Sequence, residues 1–163
     1  MQLSGKLLHG GPTVPLTPTV DRMSAHLDPR PEAIAAFLKR GTDAPVVMLN
    51  LLRFRQTADY SALPELAPSS SISGHEAYEI YLRHTRPFLA KHGGEVLFHG
   101  EGGAFLIGPE GPAWDAALVV RYRSVGAFLA LAQDPEYLSG AGHRTAALSD
   151  SRLLPLSEVD SAP

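Results

Sequence analysis

The sequence predicts one α+β domain built around a four-stranded antiparallel sheet, and three observations support this prediction. Apolar runs of strand length alternate with amphipathic helical patterns in the order β-α-β-β-α-β, after one additional short helix. The chain has 163 residues, which suffice for one ordinary core but not for two comfortable domains. It contains no cysteine, so packing alone must hold the fold, and thiolate nucleophiles, iron–sulfur clusters and cysteine zinc sites are excluded.

The composition indicates a globular protein with neither a nucleic acid nor a membrane as its partner. Hydrophobic residues make up 44% and charged residues 19%, and the net charge of −3 provides no basic field for a phosphate backbone. No apolar run approaches the roughly 20 residues that span a bilayer. The N-terminus lacks an apolar core followed by a cleavage site, so we expect no secretion signal and a cytoplasmic location.

The N-terminal third begins with an extended arm, residues 1–27, which is rich in Pro, Gly and Thr and has no period. Residues 28–41, "DPRPEAIAAFLKRG", predict a short helix with Asp28 as N-cap and Gly41 after its end. Residues 45–54, "PVVMLNLLRF", predict a strand that is apolar on both faces and is therefore covered on both.

The next segment combines a long loop with the longest predicted helix. Residues 56–72 are rich in Pro, Ser and Ala without a period, and loops of this length are usually functional or disordered. Residues 73–94 open with a capping box, Ser73 and Glu76, and carry an apolar stripe. We expect Pro87 to kink this helix or to end its regular part.

The C-terminal half supplies the remaining elements. Residues 95–108, with a Gly-rich turn or bulge, and residues 114–124 predict an antiparallel pair of strands. Residues 125–133 predict a helix that ends before Asp-Pro, residues 136–148 an irregular or helical connection, and residues 150–156 the last strand.

This order of elements is the ferredoxin-like arrangement, in which both main helices cover one face of the sheet. The other face stays bare, yet the strands are apolar on both sides. Two such sheets that face each other would bury these strands, so we expect a homodimer. The domain should span residues 28–157, followed by a tail of residues 158–163.

Motifs across the last two thirds of the chain resemble the bacterial family known as domain of unknown function 1330. They are "MLNLLRF" (48–54), "SGHEAYEIY" (73–81), "GGEVLFHG" (93–100), "WDAALVVRY" (114–122), "DPEY" (134–137) and "HRTAALSDSRL" (143–153). That family is similar to the dimeric α+β barrel superfamily, which includes cofactor-free monooxygenases, lactone isomerases, haem enzymes and proteins without known activity. The resemblance implies the fold and the dimer, and leaves the chemistry open.

Three polar residues interrupt the apolar strands: Asn50, His99 and Arg121. Each needs a partner, since a buried unsatisfied polar group costs about 1–3 kcal/mol. One interpretation is structural: Arg121 pairs with Asp115 or Asp150, and Asn50 caps a main-chain group. The other is that all three point into a cavity between sheet and helices and bind a small polar or aromatic ligand.

A second polar cluster precedes the last strand and contains Tyr137, His143 and Arg144. There His143 would lie near a helix N-terminus, which disfavours its charged form and suits a neutral acceptor or base. The alternative is that Arg144 and Arg152 form surface or interface ion pairs. The long loop of residues 56–72 would be the lid of the first pocket, that of Asn50, His99 and Arg121.

The histidines do not have metal-ligand spacing. His75, His84, His92 and His99 never recur at i, i+2 on a strand or at i, i+3 or i, i+4 on a helix, and no carboxylate completes a ligand set. We therefore expect neither a metal nor another cofactor.

Strand alternation leads to one specific expectation for the first strand. It places Asn50 on the face of Val46 and Met48, and places Arg53 and Arg55 together on the other face. We expect Asn50 to be buried and bonded within a pocket. We expect Arg53 at the pocket or dimer rim, where its guanidinium meets a carboxylate bidentately.

Two functions remain open from the sequence. The first is a cofactor-free enzyme, similar to a monooxygenase or an isomerase, that uses His99 or His143 as general base and Asn50 or Arg121 to stabilise an enolate or carboxylate. The second is a non-catalytic homodimer that binds a metabolite or a protein. The candidate catalytic residues are His99, His143 and Arg121, and the candidate ligand-binding residues are Asn50, Arg53, Trp114, Asp115, Tyr137 and Arg144.

Overall fold

The computed structural model describes residues 26–159. Nearly all of the arm predicted for residues 1–27, and the end of the predicted tail, lie outside the described residues. The elements in chain order are α1 Pro31–Leu38, β1 Val46–Phe54, α2 Gly74–Lys91, β2 Gly94–Glu101, β3 Ala116–Tyr122, α3 Val125–Ala132, α4 Pro135–Ala147 and β4 Leu148–Leu156, with a single 3₁₀ turn at Pro64–Leu66.

The four strands form one antiparallel sheet in the order β2-β3-β1-β4. This is the ferredoxin-like topology, and the predicted fold class is confirmed. The connection before β4, which the sequence left as irregular or helical, is the regular helix α4, capped by the side chain of Asp134.

The two faces of the sheet have different surroundings. Alternate residues of β1 and β3 are buried against the helices, as Met48, Val120 and Tyr122 illustrate. The opposite side, which we call the open face, is not covered by a helix within the described chain, although Val47 and Asp150 on it are buried. Its side chains are those of Val47, Leu49, Leu51 and Arg53 on β1, Ala117, Val119 and Arg121 on β3, Asp150, Arg152, Leu154 and Leu156 on β4, and Glu95 and Phe98 on β2.

A bulge in β2 changes which face its residues occupy. Val96 pairs with Val120 and Phe98 pairs with Val119, so the chain holds one extra residue between them. Simple alternation would place Val96 and Phe98 on the same side, but the bulge breaks the period of two and puts them on opposite sides. His99 pairs with Leu118 and therefore belongs to the helix side.

Prolines explain two differences at the helices. Helix α1 begins at Pro31, with Arg30 at the N-cap and no side-chain cap, because a residue before proline is held extended; Asp28 is not the cap. Helix α2 has the predicted capping box of Ser73 and Glu76, but it continues through Pro87 to Lys91. Since Pro87 is exposed, water can replace the main-chain bond that proline removes.

Candidate functional site

An open cleft of about 840 Å³ lies at one end of the sheet, where the first turns of α2 face the β2–β3 connection. The side chains around it come from four separate segments of the chain. They are Phe54, Arg55, Gln56, Ser73, His75, Tyr78, Glu79, His99, Gly100, Glu101, Gly102, Gly103, Ala113, Trp114, Asp115 and Ala116.

Gly74 brings α2 close enough to form one wall. A Cβ atom on this residue would lie 2.4 Å from the carbonyl oxygen of Ala147 and 2.5 Å from that of Arg55. The main-chain nitrogen of Gly74 donates to the same Arg55 oxygen at 3.0 Å. Without a side chain, α2 can therefore start directly against the end of β1 and the junction of α4 and β4.

Aromatic rings form the inner part of the cleft. The ring of Phe54 is in edge contact with His75, at 5.3 Å between centroids, and lies 5.4 Å from the ring of Tyr78. Tyr78 is buried, and burial raises the pKa of its hydroxyl, which stays neutral at physiological pH. The cleft thus has an apolar interior of the kind that binds small molecules.

Ionisable groups surround this interior. The imidazoles of His75 and His99 are exposed on opposite walls, one on α2 and one on β2. Carboxylates of Glu79, Glu101 and Asp115 lie at the rim, and Asp115 is fixed because its Oδ2 accepts the Phe54 main-chain N–H at 2.6 Å. Proton donors and acceptors therefore face each other across the cleft.

Arg55 is the arginine that lines the cleft. Its Nε is buried and has no hydrogen-bond partner among the described residues. Alternation placed Arg55 beside Arg53 on one face. This is wrong, because β1 ends at Phe54 and the chain leaves the strand, so Arg55 lines the cleft while Arg53 does not.

Arg53 and Trp114 belong to a cluster at the edge of the open face. The Arg53 guanidinium lies 4.4 Å from the Trp114 ring centroid and that of Arg152 lies 5.2 Å away. Arg53 Nη1 contacts Asp150 at 3.3 Å, and its other nitrogens donate to the carbonyls of Pro112 and Ala113. Arg53 thus meets a carboxylate through one nitrogen, not bidentately as expected.

The predicted group of Asn50, His99 and Arg121 is not assembled. Arg121 lies on the open face and pairs with Glu158 and Glu95, neither of which was the predicted partner. Asn50 lies on the helix side, where its amide donates to the carbonyl of Leu118 at 3.2 Å and that of Met48 at 3.4 Å. It is not among the residues that line the cleft, and its observed partners are main-chain groups.

The predicted cluster of Tyr137, His143 and Arg144 lies on α4, but each side chain has a separate partner. The hydroxyl of Tyr137 bonds that of Tyr81, Nδ1 of His143 lies 2.8 Å from the Tyr60 hydroxyl, and Arg144 donates to Leu27 O. His143 is near the C-terminal end of α4, not at a helix N-terminus. Burial, and then the charge of His84, lower its pKa instead.

The loop of residues 56–72 covers α4, away from the cleft interior. Asp59 N donates to Ala146 O, and Leu63 and Leu66 pack against Gly142, where a Cβ would clash with both. The expected role as a lid is therefore not what its contacts indicate, since Gln56, the first residue of the segment, is its only residue that lines the cleft.

His75, Glu79 and Arg55 were missed by the sequence reasoning. The capping box gave a usable signal for two of them, because it fixes His75 and Glu79 in the first turns of α2, four residues apart on one face. No comparable signal existed for Arg55, whose position depends on where β1 ends.

Metal and membrane features are absent from the described part of the chain. Within residues 26–159, no three His, Asp or Glu side chains form a group that could hold a metal ion. None of the described helices combines the length and the apolar character required to cross a bilayer.

Comparison with known proteins identifies the family. The family model named domain of unknown function (DUF1330) matches residues 67–155. The chain belongs to the DUF1330 family. The resemblance seen in its motifs is thereby confirmed, and no curated protein is detectably similar to this DUF1330 member.

Solved structures are also similar to this chain. Two crystal structures of one protein of unknown function from Rhodopseudomonas palustris are similar. The first, of the methylated protein, has 35% identity and a TM-score of 0.76, and the match covers 86% of this chain and all of the other. The second has 36% identity and a TM-score of 0.72, covering 84% and 99%. A protein from Bacteroides fragilis, described as dimeric with a ferredoxin-like fold, has 12% identity and a TM-score of 0.46, covering 72% of this chain and all of the other.

Proposed function

We propose that this protein is a homodimer that binds a small polar or aromatic metabolite in the cleft at the end of its sheet. The observation that carries this proposal is the combination of an aromatic interior, two exposed imidazoles and the Arg55 guanidinium in one cleft of about 840 Å³. That volume is in the range of ordinary small-molecule sites.

The charges of the cleft favour one class of ligand. Arg55, which follows Phe54, is the only arginine among the residues that line the cleft, whereas Glu101 and Asp115 are exposed. A ligand whose carboxylate or carbonyl oxygen meets Arg55 and whose ring packs on Phe54 satisfies both regions.

The same groups support a cofactor-free reaction. His99 would accept a carbon-bound proton of the ligand, and Arg55 would stabilise the enolate that results. His75 on the opposite wall would return the proton. These roles replace those first considered for Arg121 and His143, which lie elsewhere, while the non-catalytic alternative uses the same cleft without proton transfer.

Two glycines provide a test of the cleft. At Gly103, which lines the cleft, and at Gly111, which does not, a Cβ meets nothing within 4 Å, so both positions accept a larger side chain. We expect saturation-transfer NMR to detect binding of phenylpyruvate in preference to 2-phenylethanol. Gly103→Phe should abolish the signal and Gly111→Phe should retain it. Equal signals from both variants would contradict the proposal.

Arg55 and His99 are tested separately. Arg55→Gln should weaken phenylpyruvate binding by about 10-fold or more, since a hydrogen bond to a charged group is lost, whereas the exposed Arg83→Gln serves as the control. Exchange of the ligand's carbon-bound protons in deuterium oxide distinguishes catalysis from binding. If the wild-type protein catalyses this exchange and His99→Ala does not, the result supports an enzyme. If phenylpyruvate binds without exchange, the result supports the non-catalytic binding protein.

The open face of the sheet is the surface that would form the contact in the proposed homodimer. Phe98 and Leu154 are 55% and 52% exposed there, beside the apolar side chains of Leu49 and Val119. A contiguous apolar surface of this kind marks an interaction site. An isologous contact between two open faces would bury it, with a total interface on the order of 1,600 Å².

Light scattering tests the dimer with a matched pair of variants. Leu154→Asp introduces a charge on the open face and should yield a monomer. Leu138→Asp, at a similarly exposed position on α4, should remain a dimer. A wild-type protein that is monomeric at micromolar concentration would refute the proposed homodimer.

A further inference from the structure

One wall of the cleft belongs to a segment that forms neither a helix nor a strand. This segment is the connection between β2 and β3, which we define as residues 102–115. Its two ends line the cleft through Gly102, Gly103, Ala113, Trp114 and Asp115. The position of this wall therefore depends on the contacts that attach the connection to the sheet.

Main-chain hydrogen bonds attach only the two ends of the connection. Gly102 N donates to Asp115 O at 2.8 Å, and Trp114 N donates to Gly103 O at 3.2 Å. These bonds extend the pairing of β2 with β3 by a short distance. Between them, residues 104–113 make no main-chain hydrogen bond to another element within residues 26–159.

Arg53, an open-face residue of β1, supplies the remaining attachment. Its Nε donates to Ala113 O at 3.0 Å, and its Nη2 donates to Pro112 O at 2.9 Å. In the part of the chain that the structure describes, no other residue forms a hydrogen bond with residues 104–113. A planar guanidinium with forked donors is well suited to hold two consecutive carbonyls.

Arg53 is itself fixed from two sides. Its Nη1 lies 3.3 Å from Oδ2 of Asp150, a residue of β4 that is only 4% exposed. Its guanidinium lies 4.4 Å from the ring centroid of Trp114, a distance at which a cation is attracted to an indole face. Arg53 does not line the cleft, yet it contacts three consecutive residues of the connection, 112–114.

Arg152 offers a comparison within the same cluster. Its guanidinium lies 5.2 Å from the Trp114 ring centroid, and its Nη1 bonds Oδ1 of Asp150 at 2.6 Å. The carbonyl to which it donates is that of Ser151, its neighbour in β4. Arg152 thus shares with Arg53 the charge, the aromatic ring and the carboxylate, but not the two carbonyls of the connection.

We propose that Arg53 is a positioning residue of the cleft, which raises the affinity for the ligand by holding the carbonyls of Pro112 and Ala113. The proposal rests on the proposed function and goes beyond it, since it assigns part of the ligand affinity to a side chain outside the cleft. When the two carbonyls are released, the wall formed by Ala113 and Trp114 can move. Only molecules with the wall in place bind the ligand, so the apparent affinity falls with their fraction.

Three full-length arginine-to-lysine variants test the proposal, and all of them keep the net charge. Arg53→Lys replaces the forked contact by a point charge, which does not reproduce it. Arg152→Lys alters the same cluster without removing a contact with the connection. Arg40→Lys removes a guanidinium contact with the carbonyl of Pro155, which does not line the cleft. Light scattering should find the same assembly for the wild type and all three variants.

Two measurements are made on each protein. Titration calorimetry with phenylpyruvate measures the cleft, and hydrogen exchange of the Gly102 and Trp114 amides, followed by NMR without ligand, measures the connection. We expect Arg53→Lys to weaken phenylpyruvate binding by about 10-fold and to accelerate the exchange of both amides by a similar factor. Its urea midpoint should change no more than that of Arg152→Lys. In both measurements Arg152→Lys and Arg40→Lys should match the wild type.

Three results would overturn the positioning role. They are an equal loss of affinity in Arg53→Lys and Arg152→Lys, faster amide exchange in Arg53→Lys with unchanged affinity, and unchanged amide exchange in Arg53→Lys. A wild-type protein that does not bind phenylpyruvate would contradict the proposed ligand instead. In that case the exchange of the Trp114 amide alone decides whether Arg53 holds this wall.

Discussion

Asn50 is the residue whose polarity is least expected from its surroundings, and the structure gives it main-chain partners. Its amide bonds two carbonyl groups of neighbouring strand residues and lies outside the cleft. We predict that Asn50→Leu lowers the free energy of unfolding by about 1–2 kcal/mol, the net contribution of two neutral hydrogen bonds. Phenylpyruvate binding should not change. If the variant keeps its stability in urea unfolding but loses phenylpyruvate binding, Asn50 contributes to the ligand site and the structural role is contradicted.

Asp134 is a second residue with a testable electrostatic role. Its Oδ2 lies 2.8 Å from His92 Nε2 and 2.9 Å from Lys91 Nζ, and its Oδ1 accepts the Glu136 main-chain N–H as the cap of α4. The hydrogen bonds from His92, and then Lys91, lower the pKa of this carboxyl well below its usual range. The carboxylate thus ties the end of α2 to the start of α4.

This pKa shift predicts a loss of stability in acid. A carboxyl whose folded-state pKa is lowered stabilises the fold above its unfolded-state pKa of about 3.9, and the contribution disappears as pH falls through the folded-state value. Asp134→Asn retains a good N-cap but not the charge. We predict a lower urea midpoint for Asp134→Asn at pH 7 and a smaller decrease than wild type between pH 5 and 2. Parallel wild-type and variant curves over that range would contradict the assignment.

At the scale of elements, the contact between α2 and the end of β1 positions the cleft. Gly74→Ala would place a methyl group against main-chain atoms of Arg55 and Ala147, which cannot move aside as a flexible side chain can. We predict a loss of about 1–3 kcal/mol in the free energy of unfolding, the usual cost of overpacking. Gly111→Ala, where a Cβ has open space, should stay within about 0.5 kcal/mol of wild type. Calorimetry that finds the two variants equal would refute the close contact.

Elements defined by local sequence were predictable, whereas those defined by distant contacts were not. The order of helices and strands along the chain follows from hydrophobic periodicity. The capping box of Ser73 and Glu76 could be recognised because the two residues are three positions apart. The start of α1 was misplaced because two prolines overrode a good capping residue at Asp28.

Side-chain partners depended on features that no local pattern encodes. The bulge in β2 separated Val96 from Phe98, which simple alternation had put together. Arg121 forms an ion pair with Glu158, which is 37 residues later in the chain, and Arg53 donates to the carbonyl of Pro112 in the loop between β2 and β3. The predicted site residues His99, Trp114 and Asp115 do line the cleft, but the remaining candidates lie elsewhere.

For the whole molecule, one side of the sheet packs on the helices, and the other, which no helix covers within residues 26–159, is the side that the proposed homodimer buries. The cleft lies where the end of this open face meets the connection between β2 and β3. Assembly and ligand binding are therefore expected to affect each other, since Trp114 lines the cleft and contacts the open-face residue Arg53.

The most direct test of ligand binding at the cleft is histidine NMR. His75 and His99 line the cleft, whereas His92 bonds Asp134 and His143 bonds Tyr60. We predict that phenylpyruvate shifts the ring resonances of His75 and His99, leaves those of His92 and His143 in place, and has no effect on Gly103→Phe. Shifts of equal size at all four histidines, or unchanged spectra at saturating phenylpyruvate, would contradict a binding site in this cleft.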